Sequence, residues 1–148
     1  KKKLIGLLWI LLFAPMGWAE TGDGKTEGIP APGAGHGMVV VLRDVGIRPD
    51  LAFHMYLEEA VAKERLGYTL GGRFIYFQVP AGKHEVVSVG KNTKTIVFEI
   101  KAGETLYIRQ NERIDPKDGS NQGPMEILTP KAGQYALKHL LKGRIDEH

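Results

Sequence analysis

Side-chain chemistry needs a nucleophile, an acid–base pair or a set of metal ligands, and this sequence offers few of each. It contains no cysteine. That excludes a cysteine nucleophile, a thiolate zinc site, a disulfide scaffold and an N-terminal lipidated cysteine. Its serines are Ser88 and Ser120, and neither lies in a G-x-S-x-G elbow. The histidines are His36, His54, His84, His139 and His148. No two share the spacing of helical or strand metal ligands, and no H-E-x-x-H occurs. His54 and His84 both fall on strand-patterned segments, so a sheet can bring them together. Glu58 and Glu59 are adjacent, which on a strand sends them to opposite faces and does not form a carboxylate pair flanking a bond. The GKT at 24–26 lacks the glycine spacing of a phosphate loop.

Two further groups bear on function. The loop Asn111–Pro124 carries Asp115, Asp118 and Asn121, hard oxygen donors of the kind calcium takes. The EF-hand template fails there, because Gly119 at its sixth position puts Pro116 and Ile114 at ligand positions. Turn chemistry explains the same residues. The aromatics form the second group. On Arg73–Val79 one face carries Ile75, Phe77 and Val79 and the other Phe74, Tyr76 and Gln78. If the first face is core, Phe74 and Tyr76 are outward, where Tyr56 or Tyr107 can join them in a partner-binding patch. The competing reading is that a terminal helix covers that face. No catalytic residue, cofactor or metal ligand is assigned.

The elements that would position these residues read as strands. Met38–Arg43 is rich in β-branched residues. Val45–Asp50 is a loop. Ala52–Leu57 places Phe53, Met55 and Leu57 on one face, and Val61–Leu66 follows after a hairpin tip at Glu58–Ala60, with a helix over 56–66 as the competing reading. Arg73–Val79, Lys83–Val89, Thr93–Ile100, Glu104–Gln110 and Met125–Thr129 continue the pattern, with turns at Pro80–Gly82, Gly90–Asn92 and Ala102–Gly103. Thr129 and Pro130 start a helix carrying Ala132, Tyr135, Ala136 and Leu140 on one stripe and ending at Gly143. The fold expected is all-β: an antiparallel β-sandwich of about 7–8 strands with one C-terminal helix and one wet face per sheet.

The N-terminus reads differently. Lys1–Lys3 precede an apolar run from Leu4 to Ala14, then Pro15 and the small residues around Ala19. This order is that of a secretory signal, and the uncharged stretch to Ala19 falls short of the ~20 residues that span a bilayer. The expected organisation is a signal at 1–19, a flexible Gly/Pro-rich tether at 20–37, a sandwich domain at 38–142 and a tail at 143–148. The 148-residue chain has 20 Lys+Arg and 17 Asp+Glu, a net charge of +3, and removal of Lys1–Lys3 would make the balance 17 to 17. The overall charge therefore gives no case for nucleic acid or anionic lipid.

The order GGRFIYFQVPAGKHEV, TIVFEIKAGETLYIRQ and PKAGQYALKHL resembles a bacterial family of small secreted proteins and lipoproteins of unknown function, similar to PEGA-type surface domains. Phe74, Tyr76, Phe77, Pro80, Gly82, His84, Gly103, Tyr107 and Gly133 carry the resemblance, over roughly Met38 to Leu141. It implies an envelope-located β-sandwich and carries over no catalytic residue. The absent lipidation cysteine departs from the lipoprotein members. The function expected is an exported, periplasmic or extracellular, non-enzymatic binding module. Its partner would be an envelope protein or glycan, with no nucleic acid and no stable membrane anchor after cleavage. The alternatives are an enzyme acting on envelope polymer through His54, His84 or a carboxylate, and a calcium-stabilised module built on Asp115–Asn121.

Overall fold

The computed structural model describes residues 28–59, 63–114, 116–117, 119 and 122–146. The expected signal, most of the tether, and Asp115, Asp118 and Asn121 lie outside them. The chain divides into Lys1–Ala31 and a larger unit from Pro32 onward.

The larger unit is an all-β sandwich with one helix. Its strands are β1 (His36–Arg43), β2 (Phe53–Glu58), β3 (Lys63–Thr69), β4 (Arg73–Pro80), β5 (Gly82–Val89), β6 (Thr93–Ile100), β7 (Thr105–Glu112), β8 (Gln122–Leu128), β9 (Leu141–Lys142) and β10 (Arg144–Ile145). The helix α1 is Pro130–Leu137. Sheet A has the order β8-β7-β1-β4-β9 and sheet B the order β10-β3-β2-β5-β6. Their inner faces share Val39, Val41, Met55, Ile75, Val79, Val86, Phe98, Ile100 and Ile108. The inward faces expected of β2, β4, β6 and β7 are the ones found.

Pairing departs from the expected antiparallel pattern at two places. β1 pairs with β7 in parallel, Val40 opposite Tyr107, and β4 pairs with β9 in parallel. At β1–β7 the cause is two changes of sheet. Pro80–Gly82, expected to fold a strand back on its neighbour, instead carries the chain from sheet A to sheet B. Gly82 there has φ +136°. The turn at Lys101–Glu104 returns it to sheet A, with Gly103 at φ +81° and its amide on the His36 carbonyl. β7 thus starts at the end where β1 starts, and the two run the same way.

At β1, sheet A also lacks the expected wet face, although Gln78 and Glu126 of its outer side are exposed. Met38, Val40 and Leu42 on the outer side of β1 are buried along with the inner Val39 and Val41. A strand covered on both faces reads as a continuous apolar run, which is what MVVVL is. On the neighbouring β7 the cover is α1, where a Cβ on Gly133 would overlap the Tyr107 ring. Thr129 caps α1 by accepting from the Ala132 amide at 3.2 Å, as its sequence implies. The helix ends at Leu137 rather than near Gly143, and it buries Gly133 and Leu137 while Tyr135 faces solvent. Its last expected turn is instead β9, because the open edge of β4 offers Leu141 and Lys142 backbone partners. β10 likewise takes residues expected to be tail, and β1 begins at His36, inside the expected tether.

One ion pair ties the sheets together at the end of β1. Arg43 has no exposed side-chain surface, and its Nη2 lies 2.9 Å from Glu112 Oε1 on β7. The same guanidinium donates to the carbonyls of Leu51, Thr69 and Arg48 and stacks 3.9 Å from the centroid of the Phe53 ring. Glu112 uses its other oxygen to accept the Ile47 amide at 2.7 Å. Burial alone would push the Glu112 carboxyl up. The Ile47 amide and the Arg43 guanidinium outweigh that and hold it below its ordinary value of 4.5.

Arg43→Leu leaves a buried carboxylate without its cation and should cost about 3–5 kcal/mol in urea unfolding. Because the folded-state value of Glu112 is depressed, its contribution is present above the unfolded value and lost as pH falls through the folded one. Wild-type stability should therefore fall more steeply below pH 4.5 than that of Glu112→Gln, measured by denaturant titration across that range.

Candidate functional site

The residues singled out by sequence do not converge. Phe74 is 5% exposed and Tyr107 1% exposed, so neither can contribute to a surface patch. Tyr107 sits under α1, against Gly133, and Phe74 is buried on β4 beside β9. Tyr76 lies on the outer face of sheet A, half-buried, with Lys142 Nζ 5.1 Å from its ring centroid. Tyr56 lies on sheet B, where Lys63 Nζ stands 5.4 Å from its ring. The aromatic patch of Phe74, Tyr76, Tyr56 and Tyr107 is thus not formed: two members are interior and the other two are on different sheets.

His54 and His84 are on neighbouring strands but do not meet. His54 pairs with Val89 of β5, so His84 is five residues further along that strand. His84 Nε2 lies 2.6 Å from the Pro80 carbonyl, and Nδ1 lies 3.3 Å from Glu59 Oε1. The Pro80 carbonyl is a fold partner for Nε2, while Nδ1 is buried without a hydrogen bond, near the Glu59 carboxylate. His54 Nδ1 lies 3.5 Å from Arg65 Nη2, its ring against Tyr68 with centroids 5.5 Å apart. Ser88 is buried and takes part in a structural bond: Gln122 of β8 donates to its carbonyl at 2.9 Å and to its hydroxyl at 3.1 Å. His36 opens β1 with Nδ1 2.8 Å from the Ala34 carbonyl. Among the described residues no three His, Asp or Glu side chains gather as metal ligands do.

A different site is present at the opposite edge from β6 and β8. The chain leaves α1, adds β9 to the edge of β4, crosses at Gly143, and adds β10 to the edge of β3. Arg73 is opposite Leu141, and Arg144 is opposite Tyr68. The crossing requires close backbone approach. A Cβ on Gly67, at φ +138°, would overlap the Arg144 carbonyl, and one on Gly143 would lie 3.0 Å from the Phe74 carbonyl. This strap and the two edges enclose a groove of about 250 Å³ lined by Tyr68, Leu70, Arg73, Lys142, Gly143 and Arg144.

Three of those six residues are cations. Arg73 Nη1 donates to the Lys142 carbonyl at 3.4 Å, which fastens it to the strap. Among the described residues, neither Arg73, Lys142 nor Arg144 forms an ion pair, whereas Arg48, Lys63, Arg65 and Arg109 each have a carboxylate partner. They reach the groove from different sides: Lys142 Nζ is turned to the Tyr76 ring on sheet A, and Arg144 is in register with Tyr68 on sheet B. Guanidinium forks suit the paired oxygens of phosphate or carboxylate, and the ammonium adds a point charge. Tyr68 supplies an aromatic wall beside them.

No local signal in the sequence marks this groove. Arg73 is separated from Lys142 and Arg144 by most of the domain, and each reads alone as a solvated cation. Gly143 reads as a helix terminator, whereas it is the crossing that brings Lys142 and Arg144 to the same groove. Comparison with family models, curated proteins and solved structures returned no match.

Gly67→Val should unseat β10, since its side chain would occupy the place of the Arg144 carbonyl. Amide exchange at Arg144–Ile145 should rise by an order of magnitude or more while exchange in β1 stays slow.

Proposed function

We propose that this protein is an exported, non-enzymatic binding module that holds an oxyanion, of the phosphate type, in the groove between β4, β3 and the C-terminal strap. The observation that carries this reading is a groove lined by Arg73, Lys142 and Arg144, none of which is ion-paired with a described carboxylate. A carboxylate is matched by one bidentate arginine. Two guanidinium groups and an ammonium suit the larger charge and oxygen count of a phosphate. The groove is smaller than the roughly 300–1,000 Å³ of drug-sized sites, so it takes one terminal group of a ligand rather than the whole of it.

A binding role is favoured over catalysis by the state of the histidines. His84 Nε2 is held by the Pro80 carbonyl, and His54 is five residues of register away. Nucleic acid is disfavoured on size, since its binders spread about six to ten phosphate contacts and this groove presents three cations. Export rests on the N-terminal signal pattern, and the envelope setting on the resemblance carried by the Phe74–His84 segment and its companions.

Inorganic phosphate titrated into the protein should shift the amide resonances of Arg73, Lys142 and Arg144. Replacing any one of these by glutamine should weaken binding about tenfold, the worth of one charge-assisted hydrogen bond. p-Nitrophenyl phosphate should bind competitively and be recovered intact. Steady release of nitrophenol by the purified protein, lost on substituting one groove residue, would replace the binding reading with an enzymatic one.

A further inference from the structure

The end of the sandwich away from the groove carries a histidine that the fold satisfies on one side only. Arg73 of the groove opens β4, and Pro80 closes that strand at its other end. His84 shares a face of β5 with the core residue Val86, and its side chain is 8% exposed. Its ring lies against Phe98, the residue opposite it on β6, with centroids 6.0 Å apart. Nε2 is 2.6 Å from the Pro80 carbonyl. A carbonyl oxygen only accepts, so Nε2 carries a proton. In a neutral ring Nδ1 then holds a bare lone pair. That atom is buried without a hydrogen bond, and a Glu59 carboxylate oxygen stands 3.3 Å from it. A lone pair facing an anion away from water is unfavourable, and a second ring proton turns the same contact into a charge-assisted hydrogen bond.

The strand register explains why Glu59 is there. β2 and β5 pair from His54–Val89 to Glu58–Glu85, so the next position sets Glu59 across from His84. The Glu59 side chain is 44% exposed, which gives its carboxylate room to align with an N–H. Other charged groups at this end are turned away or set further off. Glu58 and Lys63 pair with each other at 3.5 Å on the outer side of sheet B. Lys83 and Glu85 flank His84 and point to that outer side, as does Glu99 opposite Lys83. Glu64 of β3 is on the inner side but stands opposite Leu57, one strand further out. From sheet A, the inner face of β4 brings Phe77 and Val79. His36 of β1, opposite Pro80, has Nδ1 on the Ala34 carbonyl, and Lys101 and Glu104 belong to the turn that the Gly103 amide ties to the His36 carbonyl.

We infer that His84 and Glu59 form a proton-operated clasp: with a proton on Nδ1, the imidazolium bridges the Pro80 carbonyl and the Glu59 carboxylate and fastens the β2–β3 hairpin to the turn where the chain changes sheets. The closed form holds one proton more than the open form, so acid closes the clasp and alkali opens it. Histidine is the side chain whose charge changes between about pH 5 and 8. Over that range the Arg43–Glu112 pair at the other end keeps its charge, so the response is confined to one end of the domain. The clasp is independent of what the groove holds.

The test is amide exchange of the whole chain at about pH 5.5 and about pH 7.5, with the intrinsic exchange rate divided out. Protection at residues 57–59 and 63–66 should be about tenfold greater at the lower pH, the effect of gaining one hydrogen bond to a charged group, while β1 stays unchanged. His84→Gln and Glu59→Gln should each abolish the step. Glu59→Gln alters one half-exposed side chain and should fold as the wild type does. His54→Gln and His36→Gln remove the other imidazoles near these strands and should keep the step. Equal protection at both pH values, protection that falls on acidification, or a step that survives Glu59→Gln overturns the clasp. Loss of the step in His54→Gln overturns it too, and moves the response to the contact between His54 and Arg65.

Discussion

The buried guanidinium of Arg43 is the constraint on which the rest of this structure hangs. It sits at the end of β1, fully enclosed, and four different parts of the chain end on it: Glu112 of β7, the Thr69 carbonyl of β3, Phe53 at the start of β2, and the loop through Arg48 and Leu51. β1 and β7 belong to sheet A and β2 and β3 to sheet B, so one side chain locks both layers at one end. Burying a charge is costly unless it is paired and its donors are used. Here the donors go to backbone carbonyls that a loop of this length would otherwise have to leave to water. The cost of the buried charge is offset by the order it imposes on residues 44–52. Burial lowers the pKa of Arg43 and Glu112 raises it, and the guanidinium still carries its charge.

The need to join two layers and satisfy their polar groups also explains the edge devices. At the β6–β8 side, Gln122 bonds Ser88 and accepts the Asn92 amide, joining the sheets through a buried amide. At the other side the sheets are joined by backbone, through the strap of β9 and β10. A sandwich with open edges exposes rows of unpaired amides and carbonyls, which invite association with other chains. Two-residue strands are enough to blunt them. Because the strap is short and crosses at a glycine, its side chains at 142 and 144 are left on the surface of the crossing rather than inside the core. Closing the edge and building the groove are therefore the same event.

Much of this fold is legible in the residues themselves. The alternation in β2, β4, β6 and β7 reports correctly which side is core, because the period-2 geometry of a strand sends successive side chains to opposite faces. Thr129–Pro130 reports the start of α1, because a cap acts within one turn. Features that depend on distant partners are not legible. The antiparallel expectation breaks at β1–β7, since a turn such as Pro80–Gly82 looks the same whether it closes a hairpin or changes sheets. The end of α1 is misplaced because Gly143 is a helix stop and also a close-approach residue, and only the edges of β4 and β3 decide between them. Phe74 and Tyr107 read as surface aromatics because a strand's outer face carries no mark of what lies over it, here α1 in the case of Tyr107.

Charge shows the same division. The sequence by itself determined the strand-rich composition, the inward faces, the helix start and a balance of charge that is even outside the first three lysines. These obey local rules, in which a residue and its near neighbours contain the whole cause. Only the tertiary structure decided that Arg43 is buried while Arg73 and Arg144 are gathered at an open groove, since arginines look alike along a chain and differ only in what the fold brings to them. A net charge near zero removes the argument for a basic surface as a whole. It does not prevent Arg73 from lining one groove with Lys142 and Arg144, some seventy residues later, because electrostatic attraction acts through distances in space rather than through totals.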